Sequence, residues 1–180
     1  MLLPLFLAAC SEPPADLTST TTFEGALIAF ELPGNWTAEH NRESVHTAQP
    51  DDNSQTAPPR FELIEVSSPG FMYLAVSAGP AATMPSLEEW SRDFVTEREN
   101  ALPFSSSANS LAVSRTEGPP ERRTLLVTSR DTLFGFVSHA SISRFERRRI
   151  GDVVAITTLF IAEEDLERVE AGFSRVTNTL

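Results

Sequence analysis

The chain has 180 residues, enough for one domain or one domain with a tail, and its 41% hydrophobic content is ordinary for a globular protein. Its 25 acidic residues against 14 basic ones leave a formal net charge of −11, which disfavours nucleic acid and a purely electrostatic hold on anionic lipid, since those surfaces repel it. Every basic residue is Arg, and the single cysteine, Cys10, excludes an internal disulfide, a CxxC redox pair and a cysteine-rich zinc site.

Residues 1–9 contain the apolar run Leu2-Leu3-Pro4-Leu5-Phe6-Leu7, followed by Ala8 and Ala9. The run is far short of the roughly 20 apolar residues that cross a bilayer, and it reads as a targeting segment outside the fold. No Lys or Arg precedes it, which points to a start upstream or a truncation. Residues 10–22 hold Cys10, two adjacent prolines and a Ser/Thr run with little to bury; they are expected to form a flexible tether. Residues 23–180 are expected to form the globular domain.

Within that domain, Ala26–Leu32 reads as a strand ended by Pro33-Gly34, with Trp36 folding back as a core anchor. The polar stretch from His40 to Pro59 reads as a long surface loop. Phe61–Val66 and Met72–Val76 read as a hairpin turning at Ser68-Pro69-Gly70. Ser86 and Glu89 have capping-box spacing, and Leu87, Trp90, Phe94 and Val95 recur as a helical stripe that Pro103 should close. Leu111–Arg115, Thr124–Thr128, Leu133–Arg144 and Val153–Ile161 read as strands of an antiparallel meander, with turns at Glu117–Pro120 and Gly151-Asp152. Val153–Ile156 and Leu159–Ile161 are apolar at nearly every position, so that strand needs cover on both faces. Glu163-Glu164-Asp165 suits the positive end of a closing helix, whose buried stripe is Leu166, Val169, Phe173 and Val176. The expected fold class is α+β, an antiparallel sheet of about six to seven strands flanked by helices on both faces.

Catalytic signatures are sparse. The sequence has no GxSxG, and Gly172-Phe173-Ser174 falls inside a helix pattern rather than at a strand-to-helix elbow. It has no HExxH, EF-hand, GxGxxG or GK[ST] pattern, so no metal and no cofactor is expected. His40 and His46 share a polar stretch with Asp51 and Asp52, and His139 lies in a strand pattern; solvated-loop and sheet-face roles account for them. Arg144, Arg147, Arg148 and Arg149, joined by Arg122 and Arg123, form a basic cluster. It suits phosphate or carboxylate recognition, or a solvated hairpin end that discourages edge pairing. Trp36, Trp90 and Phe94 suit core packing better than a ligand pocket.

Two resemblances add to this. Leu7-Ala8-Ala9-Cys10 resembles the lipobox of bacterial lipoproteins. That resemblance implies cleavage before Cys10, a diacylglycerol on its thiol and acylation of the new amine. Ser11, rather than Asp, implies the outer membrane by the sorting rule of Gram-negative lipoproteins. Residues 23–180, opening on Leu32-Pro33-Gly34-Asn35-Trp36 and continuing through a middle helix, a meander and a closing helix, resemble the PsbP-like α/β/α sandwich. That group includes the photosystem extrinsic protein PsbP, a nuclear transport factor that binds the Ran GTPase, and DcrB-like lipoproteins. Members mostly act as binding or assembly accessories, so the expected function is non-catalytic binding at the periplasmic face of a bacterial membrane, through an envelope protein partner. The alternative is an envelope hydrolase with an unrecognised active site.

Overall fold

A computed structural model of the chain describes residues 13–41, 61–70, 72–101, 105–112, 122–133 and 137–180. The Leu7–Cys10 run, His46, Asp51, Asp52 and the Glu117–Pro120 turn lie outside the described residues.

The strands, in chain order, are β1 (Thr20–Glu24), β2 (Ala29–Pro33), β3 (Thr37–His40), β4 (Glu62–Ser67), β5 (Tyr73–Pro80), β6 (Ser105–Ala112), β7 (Arg122–Leu133), β8 (Val137–Ile150) and β9 (Val153–Ala162). The helices are α1 (Leu87–Ala101) and α2 (Leu166–Thr179), the latter entered through a 3-10 turn at Glu163–Asp165. Among the described residues, β1 and β2 pair as a two-stranded sheet, and the other seven strands form a second sheet in the order β3-β4-β5-β9-β8-β7-β6. All pairings are antiparallel. Two meanders, β3-β4-β5 and β6-β7-β8-β9, therefore join along the β5–β9 seam, where Tyr73 faces Phe160 and Pro80 faces Val153.

Local chemistry explains these elements. At the start of α1, the Ser86 amide and hydroxyl both donate to Glu89 Oε2 at 2.9 and 2.8 Å, while the Glu89 amide donates to Ser86 Oγ at 3.2 Å. This reciprocal cap satisfies donors that a helix start leaves open. The β8–β9 turn uses Gly151 at φ +61, a left-handed position that costs other residues about 1 kcal/mol or more. The apolar run of β9 is buried along nearly its whole length.

β9 shares its side chains between two apolar clusters. Ala155, Leu159 and Ile161 join Phe30, Leu32, Trp36, Ile64, Val76, Phe173 and Val176. Val154 and Ile156 join Leu87, Leu125, Val127 and Phe145, with Trp90, Phe94 and Val95 packed against them. The first cluster thus contains the stripe of α2 and the second the stripe of α1. At the first cluster's centre, Gly172 lets α2 lie against the Trp36 ring; a Cβ there would collide with the indole.

Several expectations need correction. The flexible tether was placed over residues 10–22, yet β1 begins at Thr20 and residues 13–19 are held against the domain. Threonine is β-branched and suits a strand, so Thr20-Thr21-Thr22 pairs with β2 despite its polarity. The expected strand Ala26–Leu32 begins only at Ala29, because Gly25–Ile28 is the turn between β1 and β2, closed by the Gly25 amide donating to Ile28 O. His40 belongs to edge strand β3, opposite Ile64, rather than to the start of a loop. β6 starts at Ser105 rather than Leu111, and β7 and β8 run to 12 and 14 residues.

Candidate functional site

The sheet has two ends. At one lie Ser67–Gly70, the Ile161–Asp165 segment and Trp36; at the other lie Pro80, Gly151-Asp152 and the C-terminus of α2. The N-terminal segment reaches the first end. Pro13 and Ala15 line a small cleft there, about 30 Å³, with Trp36, Pro69, Met72 and Val169. Polar bonds fix the segment, and Ala15 packs against the first apolar cluster. The Asp16 amide donates to Asn35 Oδ1 at 2.8 Å, Asn35 Nδ2 donates to Pro14 O at 2.9 Å, and the Gly34 amide donates to Asp16 O at 2.9 Å.

Asp16 closes the segment on itself. Its carboxylate accepts from Ser19 Oγ at 2.6 Å, Thr18 Oγ1 at 2.6 Å and the Thr18 amide at 2.9 Å. Bonds from Ser19 and then Thr18 to the charged form pull its pKa down to about 2. The folded value lies below the ordinary one near 3.9, so this turn contributes its full stability above about pH 4 and loses it as pH falls toward 2. Amide exchange followed by NMR should show Thr18 losing protection between about pH 4 and 2, before the β9 amides do. Loss in step with β9 would mean that Asp16 does not govern the turn.

The expected arginine cluster divides by strand alternation. Arg122, Arg144 and Arg148 share a face with Glu146 and reach α2. Arg122 Nη2 lies 2.5 Å from Glu146 Oε1, and its Nη1 donates to Asn178 Oδ1 at 2.8 Å. Arg144 Nη2 stands 3.9 Å from Glu146 Oε2, while its Nη1 donates to Glu170 Oε1 at 2.7 Å and its guanidinium lies 4.6 Å above Phe173. Arg148 donates to the carbonyls of Thr177 and Asn178 at 3.0 and 3.1 Å, capping the negative end of α2. Glu146 is 2% exposed, and its contacts are close charge approaches rather than aligned hydrogen bonds. On the other face, Arg123 pairs with Glu88 at 3.5 Å; Arg149 Nε donates to Gly151 O at 3.0 Å. Three of the six arginines therefore dock α2, and they do not converge into one basic site.

The remaining candidates are also placed. Trp36 is buried, and Trp90 Nε1 donates to Thr158 Oγ1 at 2.9 Å. Phe94 lies edge-on to Phe145 with ring centres 5.5 Å apart. These aromatics are core, as expected. His40 packs on Phe23 at 5.1 Å, with Nδ1 3.9 Å from Glu62. His139 occupies a β8 register position opposite Asp131. Asp165 pairs with Arg168 at 3.1 Å. Among the described residues, no group of three or more His, Cys, Asp or Glu side chains is arranged to hold a metal ion.

Two features were missed in the sequence. Glu62 is buried and accepts the Ala26 and Leu27 amides at 2.5 and 2.9 Å, tying the β1–β2 turn to β4. Period-two alternation in β4 groups it with Ile64 and Val66, and this was the available signal. The second is a groove of about 450 Å³ between α1 and β7, floored by Leu125 and Val127 and walled by Ser91 and Val95.

No protein-family model matches the chain, and no curated protein matches it. Among solved structures, the chain is similar to cyanobacterial PsbP (CyanoP) from Synechocystis sp. PCC 6803, with a TM-score of 0.50 over 98% of each chain and 10% sequence identity. The chain folds as a PsbP-like domain. A second similar structure is PA94 from Pseudomonas aeruginosa, a protein of unknown function, with a TM-score of 0.36, 14% identity, and coverage of 89% of this chain and 95% of that one. At 10% identity the likeness to cyanobacterial PsbP concerns the fold alone.

Proposed function

We propose that this chain is a lipid-anchored, non-catalytic binding or assembly accessory of the bacterial envelope, attached through Cys10 to the periplasmic face of the outer membrane. The observation that carries the reading is a sequence one: the only thiol follows an apolar run and two small residues, Leu7-Ala8-Ala9-Cys10. In an exported chain an unpaired cysteine needs an explanation, and acylation supplies it. The finer fold reading is a three-layer sandwich with one helix on each face of the seven-stranded sheet. Its support is the alternation of β9, whose odd-numbered side chains pack with the α2 stripe and even-numbered ones with the α1 stripe. The groove beside α1 falls within the roughly 300–1,000 Å³ typical of ligand pockets and suits a binding role.

Cys10→Ser, followed by cell fractionation and intact-mass spectrometry, tests the anchor. The expected result is full-length, unacylated protein released from the membrane fraction. Unchanged mass and unchanged membrane retention would overturn it. Purification of the wild-type protein from detergent-solubilised membranes should recover a stoichiometric protein partner. Turnover in an esterase, phosphatase and glycosidase panel, lost on one Ser or His substitution, would replace the accessory reading with the hydrolase alternative.

A further inference from the structure

Resting on the lipid-anchor reading above, we propose that the end of the domain bearing Pro13, Pro69 and Arg168 lies against the phospholipid bilayer, so that the anchor sets the domain's orientation as well as its address. A tether of some twelve residues would leave the domain free to turn. The fold removes most of that length. Residues 13–19 are bound to the domain by Asp16 and Asn35, so only three residue steps separate Cys10 from Pro13. Even fully extended, three steps span about 11 Å. The first end of the sheet is thereby confined close to the acylated residue. The opposite end, at Gly151-Asp152, lies the length of β5 away, about 26 Å for eight residues.

Of the three exposed large apolar side chains among the described residues, Leu17 and Tyr73, 41% and 39% exposed, stand at the Pro13 end, beside the cleft that Pro69 and Met72 line, and Ile150, 36% exposed, stands alone at the far end. Tyrosine suits a membrane–water boundary because its ring is apolar and its hydroxyl polar. Arg168 stands there paired to Asp165, but the exposed Glu163 and Glu164 at the same end offset any attraction to anionic headgroups. The contact is therefore held by the acyl chains and apolar side chains, not by charge. Arg122, Arg148 and Arg149 cluster at the far end, engaged with α2 or the β8–β9 turn. They would face the periplasm and not headgroups.

The test uses the acylated full-length protein in phosphatidylcholine vesicles containing a headgroup-quencher lipid. A fluorophore is attached to a cysteine introduced by Ser67→Cys at the near end or Asp152→Cys at the far end; acylation removes Cys10 from the labelling reaction. Quenching at position 67 should exceed that at position 152 by threefold or more. Asn35→Ala, which removes the side-chain bonds that hold Pro14 and Asp16 to the domain, should bring the two values together without releasing the protein from vesicles. Equal quenching in vesicle-bound wild-type protein, or stronger quenching at 152, would overturn the orientation while leaving the anchor intact. Quenching that persists unchanged after Cys10→Ser would overturn the anchor reading and the orientation with it.

Discussion

Arg122→Ala should lower the free energy of unfolding by about 3 kcal/mol, because it leaves a buried carboxylate without its close partner. Glu146 is 2% exposed, and its second guanidinium, on Arg144, stands at 3.9 Å and is already engaged by Glu170 at 2.7 Å. Removing the acid instead should cost less. In Glu146→Ala the two arginines keep Asn178 and Glu170, and both side chains have access to water, so a loss of about 1–2 kcal/mol is expected. The double variant Arg122→Met/Glu146→Leu should lie near wild type, since replacing a whole buried pair by apolar groups is often neutral. Urea unfolding of the three variants distinguishes these cases. Equal losses for the two single alanine variants would show that the pair is not dominated by burial of the acid.

Phe173→Ala should be the more damaging change, about 3–5 kcal/mol, with a further contribution of about 0.5–1 kcal/mol from the lost seat of the Arg144 guanidinium. Phe173 is fully buried, sits on α2 beside Gly172, and packs in the cluster that includes Phe30, Trp36, Ile64 and Leu159. Little can collapse into the space it leaves, because Trp36 is already pressed against α2 at Gly172. For a chain of this size each kcal/mol moves the melting temperature by about 2–4 °C, so a fall of roughly 7–24 °C is expected. Calorimetry should also show Phe173→Leu retaining much of the lost stability. A fall of less than 3 °C for the alanine variant would mean that α2 is not held by this ring.

The parts legible in the sequence were those whose signals are local. The Ser86–Glu89 cap, the Phe61–Val76 hairpin, the Gly151 turn and the apolar run of β9 each lie within a short window, and each occurs where expected. β1 was not legible because its Thr run looks like a linker until the partner strand is known. The bond that fixes Asp16 comes from Asn35, 19 residues away, and no local pattern announces it. Strand β3, four residues on a sheet edge with little burial, lacks the alternation that marks a half-buried strand. The arginine cluster was misjudged for a different reason. Arg144, Glu146 and Arg148 repeat with period two and so share a face, but Arg147 and Arg149 interleave with them and hide that period. Nearness in sequence suggested one basic patch, whereas pleating sends neighbouring residues to opposite faces.

The β5–β9 seam has a consequence for biogenesis. Its two strands are separated by more than 70 residues along the chain, and β9 follows every other strand of the sheet in sequence, yet it occupies the middle. That strand leaves the ribosome after all the others of the sheet, so until then both halves of the sheet lack the element that joins them. Closing so distant a pairing is intrinsically slow compared with forming local contacts. A polypeptide built this way stays open while it emerges, and its two halves lock together only when β9 pairs with β5.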